Sequence, residues 1–257
     1  MKLVDTHCHL HFDAFDADRE EVIQRSLDAG VTHLINVGTD HGTNEKAYSL
    51  CSKHSFMRHT AGLHPHSAHL ENADDEMDRF IARTKPVAVG EIGLDYFKSE
   101  ADSEIQKKVF RQMLELAQKF DLPVIVHSRN AFDDTYEILN SVGAHGRAPV
   151  RGVMHCFSYD EEAMKKLLDI GFLVSFTGIV TYKNASVLAA AKKAPLGHFM
   201  LETDAPYLAP QGFRGKRNEP AYLAESARFL AQTRGEDLEK LAQVTSETAS
   251  RFFKIAL

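Results

Sequence analysis

The chain is poor in several residue types and patterns, and each shortage excludes a class of protein. It has no tryptophan, and its three cysteines form no Cys-x-x-Cys pair. An odd cysteine count without paired spacing argues against a disulfide scaffold and predicts a reducing, cytoplasmic setting. The longest strongly apolar run, near residues 171–180, is too short to span a bilayer, so no membrane association is expected. Charge within the first five residues also argues against a signal peptide.

The chain also lacks a net positive charge and the glycine-rich loops that bind phosphate. The chain carries 30 Lys and Arg against 36 Asp and Glu, a net charge of −6. Bulk-charge coating of nucleic acid is therefore excluded, and a phosphate-bearing substrate would need a local basic patch or a metal ion. No Gly-x-Gly-x-x-Gly follows the first predicted strand and no Walker loop occurs, so we expect no nucleotide cofactor. Histidine, with 14 residues, is the unusual component of the composition.

Short β-branched runs alternate with amphipathic helical patterns along the whole chain. The predicted strands are residues 2–7, 32–37, 56–61, 86–90, 123–127, 150–155, 172–176 and 198–202. The clearest predicted helices are 17–30, 103–120, 220–233 and one or two within 237–255, and a capping pattern at 158–161 predicts a helix that Gly171 ends. This α/β rhythm favours a (β/α)8 TIM barrel, with an open doubly wound sheet as the alternative. No linker is visible, so a single domain over 1–257 is expected.

A His-x-His motif ends the first predicted strand. Because side chains alternate along a strand, His7 and His9 point to one face and Cys8 to the other. Two converging imidazoles form half of a divalent-metal site. The motif alone does not distinguish such a site from two ordinary histidines.

Polar residues follow four later predicted strands directly. In a barrel, the carboxyl ends of all strands meet at one face, where such enzymes carry their chemistry. Four imidazoles and two carboxylates suit one or two divalent ions, with zinc, manganese, magnesium, nickel and cobalt as candidates. The candidate ligands are His7, His9, Glu91, His127, His155 and Asp204.

Two of these carboxylates are predicted to be catalytic. Glu91 can bridge two ions, because each of its oxygens can bind one of them. Asp204 can ligate the first ion and accept the proton of an attacking water. Glu202 has the same strand parity and is the alternative for that second role. A closed structural metal site is disfavoured, because six candidate ligands leave room for water or substrate.

Three further residues are predicted to contact the substrate. His64, in a His-Pro-His after the third strand, would lie at the mouth of the barrel. Arg129 and the basic loop 214–220 could receive phosphate oxygens, with Arg217 favoured within that loop. Solvated loop residues are the alternative in each case. Possible base-stacking aromatics are Tyr96, Phe97, Tyr182 and Phe213.

Taken together, the motifs in this sequence resemble those of the TatD family of metal-dependent deoxyribonucleases, in the amidohydrolase-like superfamily. The matching motifs, in family order, are DTHCHL (5–10), GLHPH (62–66), GEIGLDY (90–96), PVIVHSR (123–129), HCFS (155–158), ETDAPYL (202–208) and GKRNEP (215–220). The resemblance implies a (β/α)8 barrel, metal binding by the six candidate ligands, and a cytoplasmic hydrolase acting on DNA, often from the 3′ end. Some members have other substrates.

Three functions are therefore open. The first is a phosphodiesterase in which metal-activated water attacks a DNA phosphate, with no obligatory protein partner. The second is hydrolysis of a small phosphoester, amide or ester, although a neutral amide would not need the basic residues Arg129 and 214–217. The third is metal-dependent binding of nucleic acid without catalysis, which the acidic net charge disfavours.

Overall fold

The computed structural model describes residues 1–69, 75–142 and 150–257, in which strands alternate with helices. Each predicted strand is present, and all pair in parallel with their sequence neighbours. Their bounds are β1 Leu3–Cys8, β2 Val31–Asn36, β3 Met57–His59, β4 Val89–Asp95, β5 Val124–Arg129, β6 Gly152–Met154, β7 Leu173–Phe176 and β8 Phe199–Leu201.

The helices that connect the strands follow the predicted amphipathic patterns. They are α1 Arg19–Asp28, α2 His41–Cys51, α3 Asp75–Thr84, α4 Ser103–Lys119, α5 Phe132–Val142, α6 Glu161–Asp169, α7 Leu188–Lys193, α8 Leu223–Arg234 and α9 Leu238–Phe253. The C-terminal pattern forms one helix, which Asp237 caps. None of the helices in the described parts of the chain combines the length and apolar character that crossing a bilayer requires.

The strands form the ring of a (β/α)8 barrel. They lie in the order β1-β2-β3 and β4-β5-β6-β7-β8. Isolated parallel bridges join the two sheets at both seams: Ala61 pairs with Val89 between β3 and β4, and Cys8 pairs with Ala205 between β1 and β8. All strands consequently present their carboxyl ends to one face, as the sequence predicted.

The apolar core has two parts. The larger part lies between the strands and the helices and includes Leu34, Val124 and Phe110. The smaller part gathers residues in or beside the strands, such as Val4, Ile125 and Met200, with Phe252 and Phe253 at the end of α9. Because both faces of the strands are covered, they read as nearly continuous apolar runs in the sequence. The polar residues at the strand ends are the exception, and they define the opposite face.

Two boundaries differ from the sequence predictions for local physical reasons. The fourth strand was predicted over 86–90 but runs from Val89 to Asp95, because its last residues pair with β5 despite their polarity. The helix predicted to begin at the Ser158 capping pattern is instead capped by Asp160, whose side chain accepts the backbone N–H of Ala163. Gly171 follows the end of that helix with φ of +81°, as predicted.

A glycine sets the spacing between β4 and β5 at the barrel mouth. Gly93 lies opposite His127 in the strand register and has φ of +141°. A Cβ atom at this position would stand 2.0 Å from the carbonyl oxygen of His127. Since backbone rather than a flexible side chain blocks the space, only glycine allows the two strands this approach.

Gly93→Ala is therefore expected to destabilise the fold by about 3 kcal/mol, which lowers the melting temperature by roughly 6–12 °C. Thermal melting followed by circular dichroism, on metal-free protein, measures this. Gly212→Ala is the matched control, because a Cβ atom there meets nothing within 4 Å. Equal melting temperatures for the two variants would contradict the assigned role of Gly93.

Candidate metal centre

A buried carboxylate, Glu91, lies at the centre of the barrel mouth. Its Oε2 atom is 3.4 Å from His7 Nε2 and 4.0 Å from His9 Nε2. Its Oε1 atom is 2.9 Å from His127 Nδ1 and 3.4 Å from His155 Nε2. The two oxygens of one carboxylate therefore face two different sets of imidazoles, which is the arrangement that a residue bridging two ions requires.

The first set comprises His7, His9 and Asp204. The two imidazole Nε2 atoms are 3.2 Å apart, and Asp204 Oδ1 lies 3.4 Å from that of His9 and 3.8 Å from that of His7. The ring of His9 is fixed from behind, because its Nδ1 lies 2.7 Å from the carbonyl oxygen of Val37 and Phe12 stacks on it at 4.6 Å. This leaves Nε2 of His9 free to bind a ligand.

The second set comprises His127, His155 and His64. His64 Nε2 lies 3.5 Å from Glu91 Oε1, the same oxygen that the other two imidazoles face. The sets adjoin each other, since the rings of His7 and His155 stack at 3.6 Å. His64 therefore lies inside the cluster rather than at its rim.

These spacings fit divalent ions. Ligand atoms about 2.1 Å from a tetrahedral ion lie about 3.4 Å from one another. Several of the measured separations around Glu91 are close to this value. Within the described residues, three groups of potential ligand atoms each converge within 4.8 Å. They are His7 with Glu91 and His155, His7 with His9 and Asp204, and His64 with Glu91 and His127.

The imidazoles keep the central carboxylate ionised. Burial alone would raise the pKa of Glu91, but the charges of His64, His155 and His7 outweigh it and hold the pKa well below its usual range. Asp204 shows the same balance: burial raises its pKa, while a hydrogen bond from His9 and the neighbouring imidazoles lower it further than burial raises it. Both carboxylates are thus available as anionic ligands at neutral pH.

Two carboxylates behind the cluster hold the imidazoles in place, and the sequence reasoning gave neither of them this role. Asp95 Oδ2 lies 3.2 Å from His127 Nε2 and 3.0 Å from His66 Nε2. Glu202 Oε1 lies 3.0 Å from His155 Nδ1 and accepts the backbone N–H of Cys156 at 2.6 Å. The opposite ring nitrogens of His127 and His155 consequently face Glu91. Strand parity with Glu91 was the available signal for Asp95.

Asp5 ties β1 to the loop that carries Asp204. Its carboxyl group accepts the backbone N–H groups of His7 and Thr203, and the Thr203 hydroxyl lies 2.5 Å away. Asp204 itself has a left-handed backbone, with φ of +57°, and donates its N–H to the carbonyl oxygen of His7 at 2.8 Å. A strained backbone of this kind is common at functional sites. Asp5 therefore positions the first set of ligands through the backbone.

The two arginines predicted to bind phosphate make their contacts outside the cluster. Arg129 lies over the ring of Phe97, 4.0 Å from its centre, and this ring is 62% exposed. Arg217 forms a two-pronged ion pair with Asp18, at 2.8 and 2.7 Å. The guanidinium of Arg217 is thus already paired with a carboxylate, which the sequence did not reveal.

The fold and the cluster define a class, the metal-dependent hydrolases built on a TIM barrel. The chain matches the TatD related DNase family over residues 4–254 and belongs to that family. It is 37% identical to the "Uncharacterized metal-dependent hydrolase YabD" of Bacillus subtilis, over 98% of this chain and 99% of that protein. It is 32% identical to the "3'-5' ssDNA/RNA exonuclease TatD" of Pectobacterium parmentieri, over 99% and 100%.

The comparison with solved structures agrees with the family match. The crystal structure of the TatD homologue YjjV from Escherichia coli superposes with a TM-score of 0.92 at 31% identity, covering 99% of this chain and 98% of that one. The predicted TIM barrel and the predicted family are therefore confirmed. The chain is a metal-dependent hydrolase.

Glu91→Gln is expected to reduce metal binding, because it removes the central charge and replaces one of two ligand oxygens by an amide group. Loss of a residue that only hydrogen-bonds to a metal ligand costs roughly 10–100-fold in metal affinity. We expect the metal affinity of Glu91→Gln to fall by more than this. Elemental analysis after loading and desalting measures the metal content. Glu100→Gln, at an exposed glutamate, should match the wild type. Undiminished metal content in Glu91→Gln would remove Glu91 from the ligand set.

Asp5→Asn is expected to change how stability depends on pH. Burial raises the pKa of Asp5 to about 7 from 3.8, against hydrogen bonds that lower it. The folded state thus holds this proton more tightly than the unfolded chain, so ionisation of Asp5 destabilises the fold as the pH rises from 3.8 to about 7.

In metal-free protein, the melting temperature of Asp5→Asn minus that of the wild type should therefore increase between about pH 4 and about pH 8, by several degrees. Asp28→Asn, at an exposed position, should give a flat difference. A difference for Asp5→Asn that stays flat or decreases with pH would show that the buried carboxyl is already ionised at the lower pH.

Proposed function

We propose that the chain is a metal-dependent deoxyribonuclease that hydrolyses DNA phosphodiester bonds and removes nucleotides from the 3′ end. The observation that carries this proposal is the Glu91 carboxylate, which faces two sets of imidazoles at metal-ligand spacing. A site that could hold two ions and that includes a carboxylate able to accept a proton suits phosphodiester hydrolysis. The naming of a relative, 32% identical over nearly the whole chain, as a 3′-5′ exonuclease supports the choice of substrate.

In this proposal two groups of side chains would hold divalent ions. His7, His9, Asp204 and Glu91 would hold one ion, and Glu91, His127 and His155 would hold a second. Divalent ions bound there would supply positive charge beside a phosphoryl oxygen and lower the pKa of a water molecule. Mixed imidazole and carboxylate ligands suit zinc, manganese, nickel or cobalt, and magnesium is a further candidate.

Asp204 is the general base in this proposal. Its low pKa keeps it ionised, so it can accept a proton from water at neutral pH. Glu202, the alternative, is fully buried, and its Oε1 atom already accepts the backbone N–H of Cys156 and faces His155. Glu202 therefore acts as a positioning residue for His155, and Asp204 is the carboxylate left at the mouth.

The substrate contacts follow from the same geometry. His64 faces Glu91 Oε1 from within the second set, where a ring N–H could donate to a phosphoryl oxygen. Arg129, held over Phe97, presents a cation beyond His127 on the same strand end. Arg217 is retained only as an indirect contact, because its guanidinium is paired with Asp18. These cations would offset the charge that develops on the phosphate.

The setting of the reaction is also part of this proposal. The three cysteines are free, and Cys8 and Cys51 are buried, which suits a reducing cytoplasm. We propose that residues 1–257 act as one domain, with DNA as the substrate and no obligatory protein partner.

The proposal predicts metal-dependent shortening of single-stranded DNA from its 3′ end. Protein stripped of metal and reloaded with magnesium, manganese or zinc is incubated with oligonucleotides labelled at either end. A 5′ label should give a descending ladder, and a 3′ label should be released at once as a mononucleotide. Asp204→Asn should lower the rate by about 1,000-fold, the contribution expected of a general base.

Asp28→Asn is the control for this experiment and should cleave at the wild-type rate. Metal content measured in the same preparations separates loss of the base from loss of an ion. Metal uptake without cleavage by any of the three ions would overturn the nuclease proposal and favour a small phosphoester, amide or ester substrate. Wild-type turnover by Asp204→Asn would overturn only its role as base.

A further inference from the structure

Apart from the metal centre, a recess with basic walls opens near the carboxyl ends of β6, β7 and β8. Its volume is about 300 Å³, at the lower end of the range for small-ligand sites. Its polar lining residues include Ser158, Tyr182, Lys183, Ser186 and Arg214. Within the described part of the chain no acidic side chain lines it, although the chain as a whole carries a net charge of −6. A recess lined by two cations and two serine hydroxyl groups suits an anion.

Arg214 is held in this recess without a carboxylate partner. Its guanidinium lies over the ring of Tyr182, 4.6 Å from the ring centre. The ring itself is fixed, because the Tyr182 hydroxyl donates to the carbonyl oxygen of Ala209 at 2.9 Å. Among residues 1–69, 75–142 and 150–257, no acidic group forms an ion pair with Arg214. Stacking fixes the plane of the guanidinium and leaves its N–H donors free.

This contrasts with Arg217 in the same loop. Both terminal nitrogens of Arg217 donate to the carboxylate of Asp18. Nη1 also donates to the carbonyl oxygen of Ala14. The two arginines of the basic loop therefore differ, because Arg217 is held in an ion pair and Arg214 is available to a ligand. Arg214, rather than the sequence-favoured Arg217, is the guanidinium that can form a two-pronged contact with phosphate.

The walls of the recess belong to the loops that carry the candidate ligands. Ser158 follows His155 by three residues, and the Ala209 carbonyl follows Asp204 by five. The β7 and β8 loops touch at Gly178, where a Cβ atom would stand 2.6 Å from the carbonyl oxygen of Leu208. Glycine thus lets these loops close against each other, and the recess lies on the same face as the metal centre.

We propose that this recess binds a backbone phosphate of the DNA strand next to the one being cleaved, with Arg214 as the principal contact. The inference rests on the proposed nuclease function and assigns it a second subsite. A strand whose scissile phosphate lies at Glu91 continues across this face, and its next phosphate meets Arg214 and Lys183. The enzyme then prefers substrates with at least two phosphates over a dinucleotide with one.

The test combines binding and cleavage by metal-loaded protein. Binding of a fluorescent single-stranded hexanucleotide is followed by anisotropy, in an Asp204→Asn background that slows turnover. Adding Arg214→Ala should weaken binding about tenfold and reduce the slope of log affinity against log salt by about 0.7, the value for one lost phosphate contact. Arg214→Lys, which keeps the charge but not the planar fork, should fall between the two.

Lys216→Ala is the matched control, because Lys216 is an exposed cation of the same loop that does not line the recess. It should change the affinity less than twofold in this assay. Equal losses in Arg214→Ala and Lys216→Ala would overturn the subsite and indicate diffuse charge attraction. So would undiminished binding in Arg214→Ala, or a parent protein that does not bind the hexanucleotide.

Cleavage in the wild-type background separates this inference from the nuclease proposal. If both hold, Arg214→Ala lowers kcat/KM for a trinucleotide about tenfold and leaves that for a dinucleotide unchanged. Cleavage with the same length preference in Arg214→Ala would keep the nuclease and overturn the subsite. Binding that depends on Arg214, with no cleavage by any metal-loaded protein, would keep the subsite and overturn the nuclease.

Discussion

The barrel mouth depends on one physical constraint, the burial of the Glu91 carboxylate. An isolated buried carboxylate would be protonated, because desolvation penalises its charge. Here imidazoles contributed by several separate strands and loops surround both of its oxygens and keep it ionised. No single local segment can supply that environment. The ring of strands is therefore a condition for the charge, and the charge makes Glu91 available as a metal ligand.

A second layer of hydrogen-bond acceptors fixes the orientation of the imidazoles. His9 is held by the Val37 carbonyl, His127 by Asp95 and His155 by Glu202. In each case one ring nitrogen is used behind the site, so the other is directed into it. The four carboxylates at this face therefore have two roles. Glu91 and Asp204 face the mouth, while Asp95 and Glu202 orient His127 and His155.

Much of the site could be predicted from the sequence because parallel strands in a barrel end at one face. A polar residue after an apolar run, such as His127 or His155, needs only its position along the chain to be placed there. Pairings between distant residues could not be predicted in this way. The partner of Arg217 is Asp18, 199 residues away, and no periodicity connects them. For the same reason, Arg214 could not be distinguished from Arg217 until the loop was folded.

The charges at the barrel mouth also determine whether metal ions or an anionic substrate bind first. Glu91, Asp204, Asp95 and Glu202 all have lowered pKa values, so four carboxylates are ionised around one small volume. Beside them the pKa values of His127 and His155 are raised, so their imidazolium charges offset part of this negative charge, while the overall charge of the protein is −6. Cations held by stacking on aromatic rings, as Arg129 and Arg214 are, add positive charge only at the edges of the mouth. Divalent ions bound at this centre would displace the imidazole protons and neutralise the carboxylates, so we expect metal binding to precede the binding of an anionic substrate.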